Sequence, residues 1–337
     1  MIESELGVAS SCTFQTDSLM TKIINEGNIV EIYSSSSIGT YSTNLQFYGI
    51  VVKTKHDISA STFNCLGFIS ILSDHDVNLS NSSNYDGYMI QDAISDMFIS
   101  SDQFAWMCGH GYALEINLRA EDSIYLVNKS KENKSQIRTK GYEPAMGVYK
   151  KMMKFMYHYS SEDETPLYYY MYEKNKSIML MREQLRSQNQ CQLTIQEGMG
   201  PLVQRSLQIE TLVSTTKNCC TLNSTDYDNK PISYRTTANQ DYPFRTIETQ
   251  SDFKSTGALK VYAEMIEKYT QKNHFSITCK IDDGWSLTVG DYAWVSSRKY
   301  TGPAIIRKMT KRIGSCDMTL GEKNIDFVSL INAGYTI

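Results

Sequence analysis

Gly27-Asn28-Ile29-Val30-Glu31-Ile32-Tyr33-Ser34 is followed, after a polar loop, by Gly49-Ile50-Val51-Val52-Lys53-Thr54-Lys55. Near the other end of the chain, Gly290-Asp291-Tyr292-Ala293-Trp294-Val295-Ser296 is followed by Gly302-Pro303-Ala304-Ile305-Ile306-Arg307-Lys308. Both pairs read as turn, strand, polar loop, glycine, apolar strand and basic residue. Gly-Asn and Gly-Asp mark turns, and β-branched and aromatic runs suit a pleated, half-buried surface. Two unrelated hairpins can produce an echo this short, and so can a repeated β domain. Side chains alternate along a strand, so Val30 and Ile32 share one face and Glu31 takes the other. Ala293 and Val295 likewise share a face, with Tyr292 and Trp294 opposite. A true repeat puts Val30 and Val295 in equivalent inward positions and leaves Trp294 on the wetter face, to be covered by a neighbour.

Outward from the first segment, Leu45 to Lys53 and Thr62 to Ile69 read as further strands, with Gly49 as a bulge or kink. Asn78 to Gly87 is a Ser/Asn linker. Beyond it, Ile90, Ala93, Ile94 and Met97 fall at helical spacing. A second helix starts at Pro144, with Tyr149, Met152, Met153 and Met156 on one face. Leu167 to Tyr172 and Ser177 to Met181 are strands around a turn at Asn175. Residues 191–222 are strand-like again. The polar stretch 223–255 shows no periodicity and reads as a long loop. Leu259, Tyr262, Ala263 and Ile266 form a third helix face. Phe275 to Ile281, Asp291 to Val295, Ala304 to Met309 and Asp317 to Leu320 close the chain as strands. The expected fold is mainly β with an α+β insertion. It has a first barrel- or sandwich-like β domain over 1–77 and a middle α+β domain over 78–190. A second such β domain spans 191–337, with a loop and helix excursion at 223–272.

The chain has 337 residues, 33 Lys plus Arg, 37 Asp plus Glu, and a net charge of −4. A general nucleic-acid binder needs excess basic charge to release counterions from phosphate, and this chain has none. The N-terminal Met1-Ile2-Glu3-Ser4-Glu5-Leu6 is acidic and unlike a signal peptide. The longest apolar stretches, such as Leu66 to Leu72, fall far below the roughly 20 residues of a membrane span. Eight cysteines are scattered without CxxC or zinc spacing. They read as free, mostly buried thiols.

The search for chemistry is negative. No phosphate-binding, dinucleotide, HExxH or GxSxG motif occurs. His110 beside Cys108 lies in a turn, and His75 between Asp74 and Asp76 lies in a polar loop. Glu162-Asp163-Glu164 is too compact for carboxylates acting on opposite faces of a sugar. Asp282-Asp283-Gly284 is a hairpin turn before Trp285. No residue stands out as catalytic, cofactor-binding or metal-binding, and neither a cofactor nor an enzymatic activity is expected.

A resemblance emerges from the pattern as a whole. Cys12-Thr13-Phe14-Gln15-Thr16, Gly27-Asn28-Ile29-Val30-Glu31-Ile32 and Phe47-Tyr48-Gly49-Ile50-Val51 resemble the opening of phage tail and baseplate hub proteins, the family of the late control D protein. The tail agrees through Phe275-Ser276-Ile277-Thr278, Leu287-Thr288-Val289-Gly290-Asp291, Gly302 to Ile306 and Met318-Thr319-Leu320-Gly321-Glu322. The likeness covers roughly the first 75 and last 80 residues. Asn28 replaces the usual acidic residue of the first turn. The resemblance implies a structural virion protein of the tail, assembled in the host cytoplasm. It implies a homotrimer that adapts a six-fold tail tube to a three-fold central spike, alongside other baseplate proteins. Double-stranded DNA would pass through its lumen without specific binding. Other readings are a distal tail ring with receptor- or cell-wall-binding loops and, further off, a cell-wall hydrolase, for which the chain after Leu320 leaves little room.

Overall fold

The computed structural model describes residues 1–17, 23–34, 44–70, 76–78, 142–144, 169–174, 176–182, 186–199, 202–203, 206–211, 219–226, 228–237, 246–250, 256–257, 259–260, 263–264 and 275–321, with single residues at 99, 102, 105 and 267. Within them the chain is mainly β. The first strands are β1 (Ile2–Glu5), β2 (Val8–Asp17), β3 (Ile29–Ser34), β4 (Asn44–His56), β5 (Ala60–Gly67), β6 (Asp76–Asn78) and β7 (Tyr142–Pro144). Then come β8 (Tyr169–Lys174), β9 (Ser177–Arg182), β10 (Leu193–Gln196), β11 (Gln208–Thr211), β12 (Cys219–Thr225), β13 (Pro231–Arg235) and β14 (Thr246–Gln250). The last four are β15 (Phe275–Ile281), β16 (Tyr292–Ser296), β17 (Thr301–Arg312) and β18 (Ser315–Gly321).

Eleven of these strands form one sheet, which holds the same five-strand arrangement twice. The order β1-β2-β5-β4-β3 recurs as β11-β15-β18-β17-β16. The registers also correspond. Ile2 faces Cys12 as Ile209 faces Ile277, and Glu3 faces Ser11 as Glu210 faces Ser276. Cys12 faces Cys65 as Ile277 faces Leu320. Ile29 faces Ile50 as Tyr292 faces Ile305. Even the irregularities match. The β4–β5 ladder shifts between Val51 and Lys53, and the β17–β18 ladder shifts between Ile306 and Lys308. A bulge at the same point in both ladders bends and twists both strands alike.

The turn that feeds β3 is repeated bond for bond before β16. Asn28 N–H donates to Asn25 O at 3.1 Å, and Asp291 N–H donates to Thr288 O at 3.2 Å. The side chain closes the loop in return: Asn25 N–H donates to Asn28 Oδ1 and Thr288 N–H to Asp291 Oδ2, each at 2.8 Å. Gly27 N–H donates to Val51 O and Val51 N–H to Asn28 O, both at 2.9 Å. Gly290 N–H donates to Ile306 O and Ile306 N–H to Asp291 O, both at 2.8 Å. Gly27 and Gly290 have φ of 84° and 88°, the left-handed region that a Cβ disfavours. Asn28 keeps the acceptor oxygen that the turn requires, so its lack of charge leaves the geometry intact.

The two units bury several of the same alternating positions. Ile2, Cys12, Phe47, Val51, Phe63 and Cys65 form the first core. The register counterparts of Cys12, Val51, Phe63 and Cys65, namely Ile277, Ile306, Met318 and Leu320, lie in the second, larger core with Ile281, Val295 and Ile305. The seven cysteines among the described residues are free thiols, and all but Cys191 are buried. Apolar surroundings push the Cys65 and Cys279 thiols up to about 12.

Several expectations need correction. The glycines of the echo are not equivalent: Gly49 faces Val30 while Ala304 faces Ala293, so Gly302 matches Phe47 instead. In consequence Val30 corresponds to Ala293, and Val295 to Ile32. Loops of unequal length hid this two-residue offset. The assigned faces hold for Ala293 and Val295, which are fully buried, and for Trp294, which is partly exposed, but not for Tyr292, which is buried in the core of the second unit. Gly49 is not a bulge; a Cβ there would collide with Leu66 O and the Phe47 ring. The stretch 223–255 is no continuous loop. β12 pairs antiparallel with β13 and parallel with β14 in a separate three-stranded sheet. Asp226 Oδ1 accepts the N–H groups of Asp228 at 2.9 Å and Lys230 at 2.8 Å, turning the chain between β12 and β13. Leu259 and Ala263 are helical and fully buried, as their spacing required. The expected helices at 90–97 and 144–156 lie outside the described residues, except that Pro144 ends β7.

Because the two turns are the same, they should respond alike. Gly27→Ala meets no atom that a Cβ would strike, so only backbone strain opposes it. Gly27→Ala and Gly290→Ala are each expected to cost about 1–2 kcal/mol in urea unfolding. A much larger loss at one site than at the other would contradict the equivalence.

Candidate functional site

Of the residues that the sequence offered for chemistry, those at 282–284 are described, and they serve the backbone. Asp283 Oδ1 accepts Trp285 N–H at 3.0 Å, a local side-chain turn, but 282–284 is not the expected hairpin turn, because β15 pairs with β11 and β18 and not with β16. His75, Cys108, His110 and Glu162 to Glu164 lie outside the described residues. Among the described residues no group of His, Cys, Asp and Glu could hold a metal ion. The feature with organised polar chemistry is the seam where the two units meet.

β1 makes that seam. It pairs with β2 in its own unit and with β17 of the other, Ile2 facing Lys311 and Glu5 facing Lys308. The Lys308 ammonium lies 3.3 Å from the Glu5 carboxylate. Lys311 is buried, and its Nζ donates to Gln46 Oε1 at 2.7 Å and Leu287 O at 2.6 Å. One acceptor comes from each unit, so a single ammonium ties both. Burial brings the Lys311 ammonium down to about 8. A cavity of about 160 Å³ opens beside it, lined by Ser10, Gln46, Glu173, Trp285, Met309 and Lys311.

The β8–β9 hairpin straddles the same seam. Glu173 Oε1 accepts Ile69 N–H at 2.7 Å, and Oε2 accepts Ser10 N–H at 3.2 Å and the Ser10 hydroxyl. Gly7 N–H donates to Met171 O at 2.7 Å. These bonds fasten the hairpin to the first unit. Next along, Lys174 pairs with Asp291 of the second unit at 3.2 Å. Lys176 pairs with Glu31 and stands 5.1 Å from the centre of the Tyr48 ring. Gly67 has to be glycine, because a Cβ would occupy the space of the Glu173 carboxyl. Part of Glu173 reaches the surface, but its carboxyl is walled in, and burial raises it to about 7. Both oxygens already accept donors, so the group is a structural acceptor and not a poised base. The signal that could have found it is a lone acid, Glu173, directly after the apolar run 167–172.

Two strand edges complete the site. β11 is an end strand of the sheet; β15 holds one edge, and among the described residues nothing pairs with the other. On β4, β3 occupies one edge from Asn44 to Ile50 and the turn residues Gly27 and Asn28 bond Val51; beyond that, among the described residues, no strand pairs with that edge from Lys53 through His56. At the corresponding place on β17, the edge beyond β16 is filled by β1.

Glu173 sets a pH dependence. The unfolded carboxyl loses its proton near 4.5, while the folded one holds it to about 7. Stability from this group is therefore greatest below 4.5 and falls as pH rises through 7. Thermal unfolding across that window should show the decline. Glu173→Gln should flatten it while lowering stability by about 1–3 kcal/mol, because one oxygen cannot serve donors on both sides. An unchanged slope in the variant would remove Glu173 as its source.

No protein-family model matches the chain, and no curated protein sequence does either. Solved structures do match in fold. A tail protein from Neisseria meningitidis MC58 aligns with TM-score 0.64 at 12% identity, over 98% of this chain and 93% of that one. A 43 kDa tail protein of prophage MuSo2 from Shewanella oneidensis aligns with TM-score 0.56 at 8% identity, over 95% and 91%. Prophage tail protein gp18 from Listeria monocytogenes EGD-e aligns with TM-score 0.51 at 10% identity, over 98% and 91%. The chain thus has, over nearly its whole length, the mainly β fold of phage and prophage tail proteins.

Proposed function

We propose that this chain is a structural virion protein of a phage or phage-like tail. In this reading it is a baseplate hub, a homotrimer that adapts a six-fold tail tube to a three-fold central spike. The observation that carries the reading is the five-strand unit present twice in one chain. Three such chains present six near-equivalent units to a tube and three chain copies to a spike. Head-to-tail contacts of this kind close into rings when the rotation per unit permits. The fold shared with tail proteins supports the virion setting. Other baseplate proteins complete the assembly.

The polar groups of the seam hold units together and organise no reacting centre, which supports a non-enzymatic role. The net charge of −4 suits a channel through which DNA slides without being held. Among the described residues no helix is long and apolar enough to cross a membrane.

Native mass measurement tests the assembly. The expected species holds three chains of 38.4 kDa, formed alone or on mixing with the cognate tube protein. A species of six chains would favour a distal tail ring. A lone chain that neither trimerises nor caps tubes would overturn the reading.

A further inference from the structure

We propose that the two open strand edges are halves of one interface: β11 of one copy adds to β4 of the next, in the register that β1 makes with β17. This inference rests on the ring of repeated units proposed above and specifies how its subunits join.

β1 and β11 occupy the same place in their units, as do β17 and β4. β1 reaches across to β17, pairing Ile2 with Lys311, Glu3 with Thr310 and Ser4 with Met309. The shared bulge aligns Lys308 with Lys53, hence Thr310 with Lys55 and Lys311 with His56. The β2 and β15 ladders align Ile2 with Ile209 and Glu3 with Glu210. Repeating the contact between copies therefore sets Ile209 against His56, Glu210 against Lys55 and Thr211 against Thr54.

Charge and burial fit that register. Glu210 and Lys55 are both exposed and become direct cross-strand partners, as Glu5 and Lys308 are at the seam. Opposite charges across a ladder stabilise it, and like charges oppose it. Ile2, gripped from both sides, is only 3% exposed, whereas Ile209 with one neighbour stays half-buried. An added strand would finish covering Ile209 and satisfy backbone groups on both edges.

Paired cysteines read the register in the full chain. Glu210→Cys with Lys55→Cys, both at exposed positions, should oxidise into covalent dimers and trimers on a non-reducing gel. Glu210→Cys with Lys53→Cys is two residues out of register and should stay monomeric on the gel, as should the oxidised wild type. In a second experiment, Glu210→Lys should weaken the trimer severalfold by setting two ammonium groups opposite each other. Adding Lys55→Glu in the same chain should restore it. A trimer of correct mass that crosslinks no better at 55 than at 53, or that charge exchange fails to rescue, overturns this interface and leaves the ring reading intact. Absence of a wild-type trimer both alone and with the cognate tube protein overturns both.

Discussion

The architecture depends on β1 taking part in two ladders at once. Four residues, Ile2 to Glu5, complete their own five-strand unit through β2 and extend the other through β17. The first residues of the chain thereby join its first and last segments in a continuous sheet. The side chains follow from that choice. Ile2 is covered from both sides, Glu5 meets Lys308, and Lys311 is drawn inside to bond acceptors from both units. A buried ammonium is costly unless its donors are met. Gln46 and Leu287 O meet two of them.

The β8–β9 hairpin reinforces this join from outside the sheet. Consecutive residues serve opposite sides, Glu173 gripping Ser10 and Ile69 and Lys174 reaching Asp291. Asp291 also accepts Thr288 N–H in the repeated turn. The hairpin therefore bears on the turn that sets the path of β16. Such coupling fixes the angle between units, and a ring needs that angle to be the same in every copy.

Much of the fold could be read from the sequence, because β-branched residues at period 2 name their strands directly. Phe275 to Ile281 and the strand cores around Ile29, Ile50 and Ile305 are cases in point. The repeat was visible only as an echo. Its register is carried by backbone pairing and by two bulges, which leave no residue signature. Conspicuous glycines misled, since Gly49 and Gly302 lie two positions apart in the true correspondence. The strands β13 and β14 were hidden by polar composition, although Ile232 and Tyr234 alternate as a strand requires. β1 was hidden by Glu3, Ser4 and Glu5, which sit in the sheet because the seam offers them partners. The seam residues Gln46, Glu173 and Lys311 come together only through long-range pairing, so no local pattern announces them.

The central claim is that one chain supplies two equivalent units of a ring. An electron-microscopy reconstruction of the assembled protein, resolved to individual strands, tests it most directly. The account predicts three chains arranged as six superposable five-strand units, in which the junction between chains repeats the β1–β17 junction within each. Six separate chains around the axis, or two units per chain that do not superpose, would contradict it.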